Sequence, residues 1–148
     1  KKNLEGVRLY ELYFAPFNAE GEPVSPSRFS PGLVNDANIG PASVTTDGNT
    51  LYFTRNNAEG RGLGKKEPNR LGIYSARRSG EQWSEITPFE YNDPGYNLSF
   101  PYISADGRYL FFCSDMDDSS TTPEKMRWAV ASHRDGQQGC LPMRRFAG

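Results

Sequence analysis

Apolar residues in this chain fall in short alternating runs separated by turn-forming residues. Over residues 50–54, Leu51 and Phe53 share one face of an extended segment and Tyr52 takes the other. Asp47-Gly48 precedes this run. Gly tolerates positive φ, and the Asp side chain bonds nearby backbone N–H groups, so the pair predicts a turn. With a short strand over residues 42–45 in front, the pattern is a hairpin. A third strand is expected over residues 72–76 and a fourth, carrying Trp83, over residues 82–86. The intervening stretch 55–70 is polar and rich in Gly, with Gly60, Gly62 and Gly64, and predicts an exposed loop.

The pattern repeats. Thr46-Asp47-Gly48-Asn49-Thr50-Leu51-Tyr52-Phe53-Thr54 matches Ala105-Asp106-Gly107-Arg108-Tyr109-Leu110-Phe111-Phe112-Cys113. Upstream, Asn35-Asp36 parallels Asn92-Asp93, and Asn38-Ile39-Gly40 parallels Asn97-Leu98-Ser99. A second element recurs between these. Leu12-Tyr13-Phe14-Ala15 resembles Ile73-Tyr74-Ser75-Ala76, each followed by a polar turn (Asn18-Ala19-Glu20-Gly21 and Arg78-Ser79-Gly80-Glu81) and then an aromatic segment. The period is about 60 residues. The chain therefore holds the end of one unit, one full unit and the start of another. Four antiparallel strands per repeat describe the blade of a β-propeller. A single blade has two apolar faces that only stacked neighbours bury, and two blades do not close a ring. The expected fold class is all-β, a propeller fragment of about two four-stranded antiparallel blades over residues 1–118, with an irregular tail over 119–148. Tyr52, Phe53, Phe111 and Phe112 are the expected inter-blade core.

Composition agrees. Of 148 residues, 36% are hydrophobic and 13% aromatic, with 15 Gly and 11 Pro. Disordered chains are poor in aromatics, so this is the composition of a β protein with many turns. The net charge of −1, from 17 basic and 18 acidic residues, argues against a nucleic-acid binder working through a basic face. No apolar run approaches the roughly 18 residues of a membrane-spanning helix, and no signal-peptide core opens the chain. Lys1-Lys2-Asn3-Leu4-Glu5 reads as the middle of a protein. Cys113 and Cys140 do not have metal-ligand spacing, and Cys113 reads as a small buried thiol.

The segment Gly40-Pro41-Ala42-Ser43-Val44-Thr45-Thr46-Asp47-Gly48-Asn49-Thr50-Leu51-Tyr52-Phe53-Thr54-Arg55-Asn56-Asn57 resembles the TolB-type, WD40-like propeller repeat, in the form found in OmpA-family envelope proteins of Bacteroidetes. Phe100-Pro101-Tyr102-Ile103-Ser104-Ala105-Asp106-Gly107-Arg108-Tyr109-Leu110-Phe111-Phe112-Cys113-Ser114-Asp115-Met116 resembles the next copy. The resemblance implies a periplasmic or outer-membrane-associated protein whose propeller is a protein-interaction platform. A peptidoglycan-binding domain accompanies many such propellers, and none of its residues is visible here. The expected partner is a protein or a cell-wall component.

The tail departs from the repeat. After Met116 the chain reads Asp117-Asp118-Ser119-Ser120-Thr121-Thr122-Pro123, then a basic stretch with Arg127, Arg134, Arg144 and Arg145. Divergence or loss of the ancestral frame accounts for it better than a new functional element. The tail is expected to be disordered or to start a short helix at Pro123-Glu124-Lys125-Met126, since Pro suits a first turn.

Candidate chemistry is sparse. The single histidine, His133, has no Gly-x-Ser-x-Gly to serve. Asp115, Asp117 and Asp118 lack the Gly and distal Glu of a calcium loop. Gly60-Arg61-Gly62-Leu63-Gly64-Lys65-Lys66 lacks the Lys-Ser or Lys-Thr of a phosphate loop. Glu81, Glu85 and Glu90 sit in no environment that sets two carboxylates apart as glycosidase acid and base. No catalytic residue, metal or cofactor is expected. The reading is a non-catalytic interaction or scaffold module. The alternatives are an accessory propeller domain of a glycosidase or peptidase, and a truncated product without independent function. The candidate binding residues follow the same strand in successive units, where propeller geometry puts equivalent loops on one rim: Arg55, Asn56 and Asn57 in one, Ser114 and Asp115 in the next.

Overall fold

The computed structural model describes residues 9–29, 33, 37–56, 70–116 and 127–132. Its strands are β1 Tyr13–Phe14, β2 Ser27–Arg28, β3 Ile39–Val44, β4 Thr50–Asn56, β5 Leu71–Ser79, β6 Gln82–Pro88, β7 Leu98–Ile103, β8 Tyr109–Ser114 and β9 Arg127–Ser132. No α-helix occurs among the described residues, so the fold is all-β, as the alternation predicts. The strands make three antiparallel meanders: β1-β2, then β3-β4-β5-β6, then β7-β8-β9. The described residues do not close a ring.

Each hairpin forms for the reason its sequence gives. Gly48 and Gly107 take φ of 72° and 69°, a region that costs glycine little. Beside each, an Asp carboxylate accepts the backbone N–H two residues on, at 3.0 Å from Asn49 and 3.1 Å from Arg108. A hydroxyl two residues before each Asp then completes the corner. Thr45 Oγ1 donates to Asp47 and accepts the N–H of Thr50, and Ser104 Oγ does the same between Asp106 and Tyr109. Both inner strands also carry a register shift at the same place, between Ile39 and Ala42 in β3 and between Ser99 and Tyr102 in β7. Pro41 and Pro101 lie there, where a residue without an N–H costs the ladder least.

The middle sheet is apolar on both faces and is covered on both. Leu51, Phe53, Tyr74 and Ala76 point forward into a cluster with Leu33 and Ile39, against Leu12 and Phe29 of the first unit. Ile73 and Tyr52 point back into a second cluster with Leu98, Ile103, Leu110 and Phe112 of the third sheet. The predicted division of Leu51 and Phe53 from Tyr52 is thus a division between two cores. Phe53 and Phe112 are buried, and Tyr52 and Phe111 are half-buried.

The strands run further than the alternation alone predicts. Arg55 and Asn56, expected in a loop, complete β4 and pair with Gly72 and Leu71 of β5. Ser114 closes β8. In the stretch read as a divergent tail, β9 pairs along all of β8, from Tyr109↔Ser132 to Ser114↔Arg127. The free edge of β8 supplies a ladder for backbone that carries no repeat signature. Asn57, the run 60–66, Asp117, Asp118, Pro123–Met126, His133 and Cys140 lie outside the described residues.

Candidate functional site

The candidate residues gather where β4 and β8 end. Asn56 and Asp115 occupy the same place in successive sheets, and both are turned inward. Asn56 Oδ1 accepts the N–H of Asn38 at 2.9 Å. Asp115 Oδ1 accepts the N–H of Asn97, and Asp115 Oδ2 accepts the side-chain amide of Asn97 at 2.6 Å. Asn38 and Asn97 open the inner strands β3 and β7. Their own side-chain oxygens reach the preceding unit, accepting the N–H of Tyr10 and of Leu71, each at 2.9 Å. The result is a relay that runs from the exit of one strand, through the entry of its partner, to the unit before, at Tyr10 ahead of β1 in one case and at Leu71 at the start of β5 in the other. Asp115 carries a charge where Asn56 carries none, and Arg70 Nη1 lies 3.5 Å from its Oδ2.

Arg55 is the exception. It is half-buried on the forward face of the middle sheet, its guanidinium carbon 4.3 Å from the centre of the Tyr74 ring. Cation–π contact of this kind fixes a planar cation in place. Its Nε is buried without a hydrogen-bond partner. Ser114 is buried, and its Oγ accepts the N–H of Met116 at 3.0 Å. Of the five residues expected on a rim, Asn56, Ser114 and Asp115 are therefore engaged in holding the backbone, Arg55 is held by a ring, and Asn57 is outside the described residues.

Sequence reasoning missed the asparagines. Asn38 and Asn97 align in the repeat, which was the available signal. Asn92 brackets Ile73, accepting its N–H at 2.8 Å and donating to its C=O at 2.7 Å. Nothing local in the sequence points to that contact.

Among the described residues, the remaining polar groups offer no reactive pair. Glu81, Glu85 and Glu90 are all exposed, and Glu85 Oε2 lies 3.9 Å from Arg77 Nε. Cys113 is half-buried, and burial pushes its thiol up, away from thiolate chemistry. The Asp47 carboxyl is held below the usual range first by the Thr45 hydroxyl, and the Asp106 carboxyl first by the Ser104 hydroxyl. These shifts belong to the turns. Among the described residues no group of three or more His, Cys, Asp or Glu is placed to hold a metal, and no helix is long and apolar enough to cross a membrane. No protein family, curated protein or solved structure matches the chain.

Proposed function

We propose that the chain is a segment of a β-propeller of the TolB-like, WD40-like kind and that it serves as a non-catalytic interaction module of an envelope-associated protein. One observation carries the reading. Two successive sheets repeat the same hairpin corner, the same inner-strand bulge and the same Asn-based relay, and they stack face to face through a shared core. Equivalent strands then end on one side of the stack, where Arg55, Arg70 and Met116 stand beside the relay. A partially exposed arginine on a rigid strand end suits an acidic or carboxylate-bearing partner, either a protein or a cell-wall component. The resemblance to envelope-protein repeats supports a periplasmic or outer-membrane-associated site of action.

The test is site-specific photo-crosslinking at position 55 in cells, followed by fractionation of the envelope. One crosslinked species in the periplasmic or outer-membrane fraction, lost when the probe is moved to the exposed position 85, is expected. Absence of any crosslink at 55 would count against the rim. Turnover of a glycan or peptide panel by the purified chain would overturn the non-catalytic reading.

A further inference from the structure

The middle sheet has a neighbour against each face, the first unit in front and the third sheet behind. What both leave open is its outer edge. Among the described residues β6 pairs with β5 alone, so its other side presents unpaired backbone N–H and C=O groups. Every residue of β6 except Trp83 is exposed. Stacking covers faces, so a further unit would leave this edge as open as the present two do. A seven-residue strand carrying Trp83, Ile86 and Thr87, residue types that favour extended backbone, is a template on which another strand can add.

Glu85 interrupts that template. Ser75 pairs with Thr87 and Arg77 with Ser84, so Glu85 and Ile86 together stand against Ala76. This is a β-bulge, and its first residue, Glu85, has a φ of 52°. Glycine is the ordinary occupant of such a position, because a side chain there is strained. Nothing in the packing asks for glutamate instead. Arg77 Nε lies 3.9 Å from Glu85 Oε2, with the two side chains 75% and 71% exposed, and a pair so exposed holds little. The place of the carboxylate is more telling. Glu85 is the midpoint of Gln82–Pro88. When the edge of β6 meets the same edge of a second copy in antiparallel, two-fold pairing, midpoint meets midpoint. Two carboxylates then face each other on strands about 5 Å apart, and like charges directly opposite oppose pairing.

We propose that Glu85 guards the outer edge of the middle sheet, its charge at the bulge keeping that edge from pairing with the same edge of a second copy. The strained backbone at Glu85 is tolerated because it holds a charge where glycine would leave a neutral gap. The guard does not depend on a partner at the strand-end rim.

Glu85→Gln, Glu85→Gly and Glu85→Lys test it, each compared with the wild type at equal concentration by light scattering and hydrogen exchange. The first two remove the charge, and both are expected to reach about twice the wild-type mass as concentration rises, as a two-fold pair does. Their β6 amides should exchange about tenfold more slowly than those of the wild type, which places the contact on this edge. The third restores like charges at the midpoint and should keep the wild-type mass. In dilute solution Glu85→Gly should melt no lower than the wild type, since glycine suits the backbone there. Charge-free variants that stay at the wild-type mass overturn the proposal, and so does association without slower exchange in β6. A Glu85→Lys variant that associates as Glu85→Gln does overturns it by showing that charge is not the guard. A Glu85→Gly variant that melts lower overturns it by showing that Glu85 serves the fold. Circular dichroism confirms that each variant keeps its strands.

Discussion

Asp47 and Asp106 show how much of a turn rests on one carboxylate. Each accepts a hydroxyl and a backbone N–H, and both bonds favour the charged form, so each carboxyl is held below the ordinary aspartate range in the folded state. A depressed carboxyl contributes stability that is fully present above the unfolded value and is lost as pH falls through the folded one. Melting temperatures of the wild type should therefore fall as the pH drops below about 4. In the Asp47→Asn, Asp106→Asn double variant that fall should be shallower, from a lower starting point at neutral pH. Equal slopes would show that the carboxylates do not stabilise these corners. Gly72 makes a second residue-scale case. A Cβ there would sit 3.0 Å from Asn92 Nδ2, and Asn92 is not free to swing, since it bonds both the N–H and the C=O of Ile73. Gly72→Ala is expected to cost about 1–3 kcal/mol, the penalty for stranding buried backbone groups. Amide exchange at Ile73 should accelerate, and unchanged exchange would show that Asn92 accommodates the methyl.

At the scale of the element, the strands were legible because alternation sorts side chains onto faces that are physically distinct. Leu51 and Phe53 go to one core and Tyr52 toward the other, and no tertiary information is needed to see that they differ. The strand ends were not legible in the same way. Arg55 and Asn56 are polar, and polar residues after an apolar run read as loop, yet the ladder to β5 continues through both. The relay was hidden for a related reason. Its bonds join residues far apart in sequence, Tyr10 to Asn38 and Leu71 to Asn97, so no local pattern encodes them. β9 was missed because its place is set by the open edge of β8 rather than by any repeat of its own. Position within an element also predicts energetics. Phe53 is fully buried, and Phe53→Ala should cost about 3–5 kcal/mol through lost transfer energy and a residual cavity. Tyr13 lies on an exposed strand, and Tyr13→Ala should stay within about 0.5 kcal/mol. Chemical denaturation reads both. A large loss at Tyr13 would mean that the first unit packs more tightly than its exposure indicates.

For the whole molecule, the decisive feature is that the two cores do not merge. The first lies between the β1-β2 unit and the middle sheet, and the second between the middle sheet and the third. The middle sheet belongs to both: on β5 Tyr74 faces one core and its neighbour Ile73 the other, and on β4 Phe53 and its neighbour Tyr52 divide in the same way. In such a stack, stability is a sum of unit terms and nearest-neighbour interfaces, and local openings follow those interfaces. Leu98 sits at zero exposure in the second core and makes no part of the first. Leu98→Ala is expected to cost about 2–5 kcal/mol, and the cost should be felt unevenly. Amides of β7 and β8 should lose protection in hydrogen exchange, while those of β3 and β4, held by the first core, should keep most of theirs. Ile73→Ala, on the shared strand, should instead lower protection on both sides. If Leu98→Ala lowers protection equally across all three sheets, the chain unfolds as one cooperative unit, and the picture of separable stacked sheets fails.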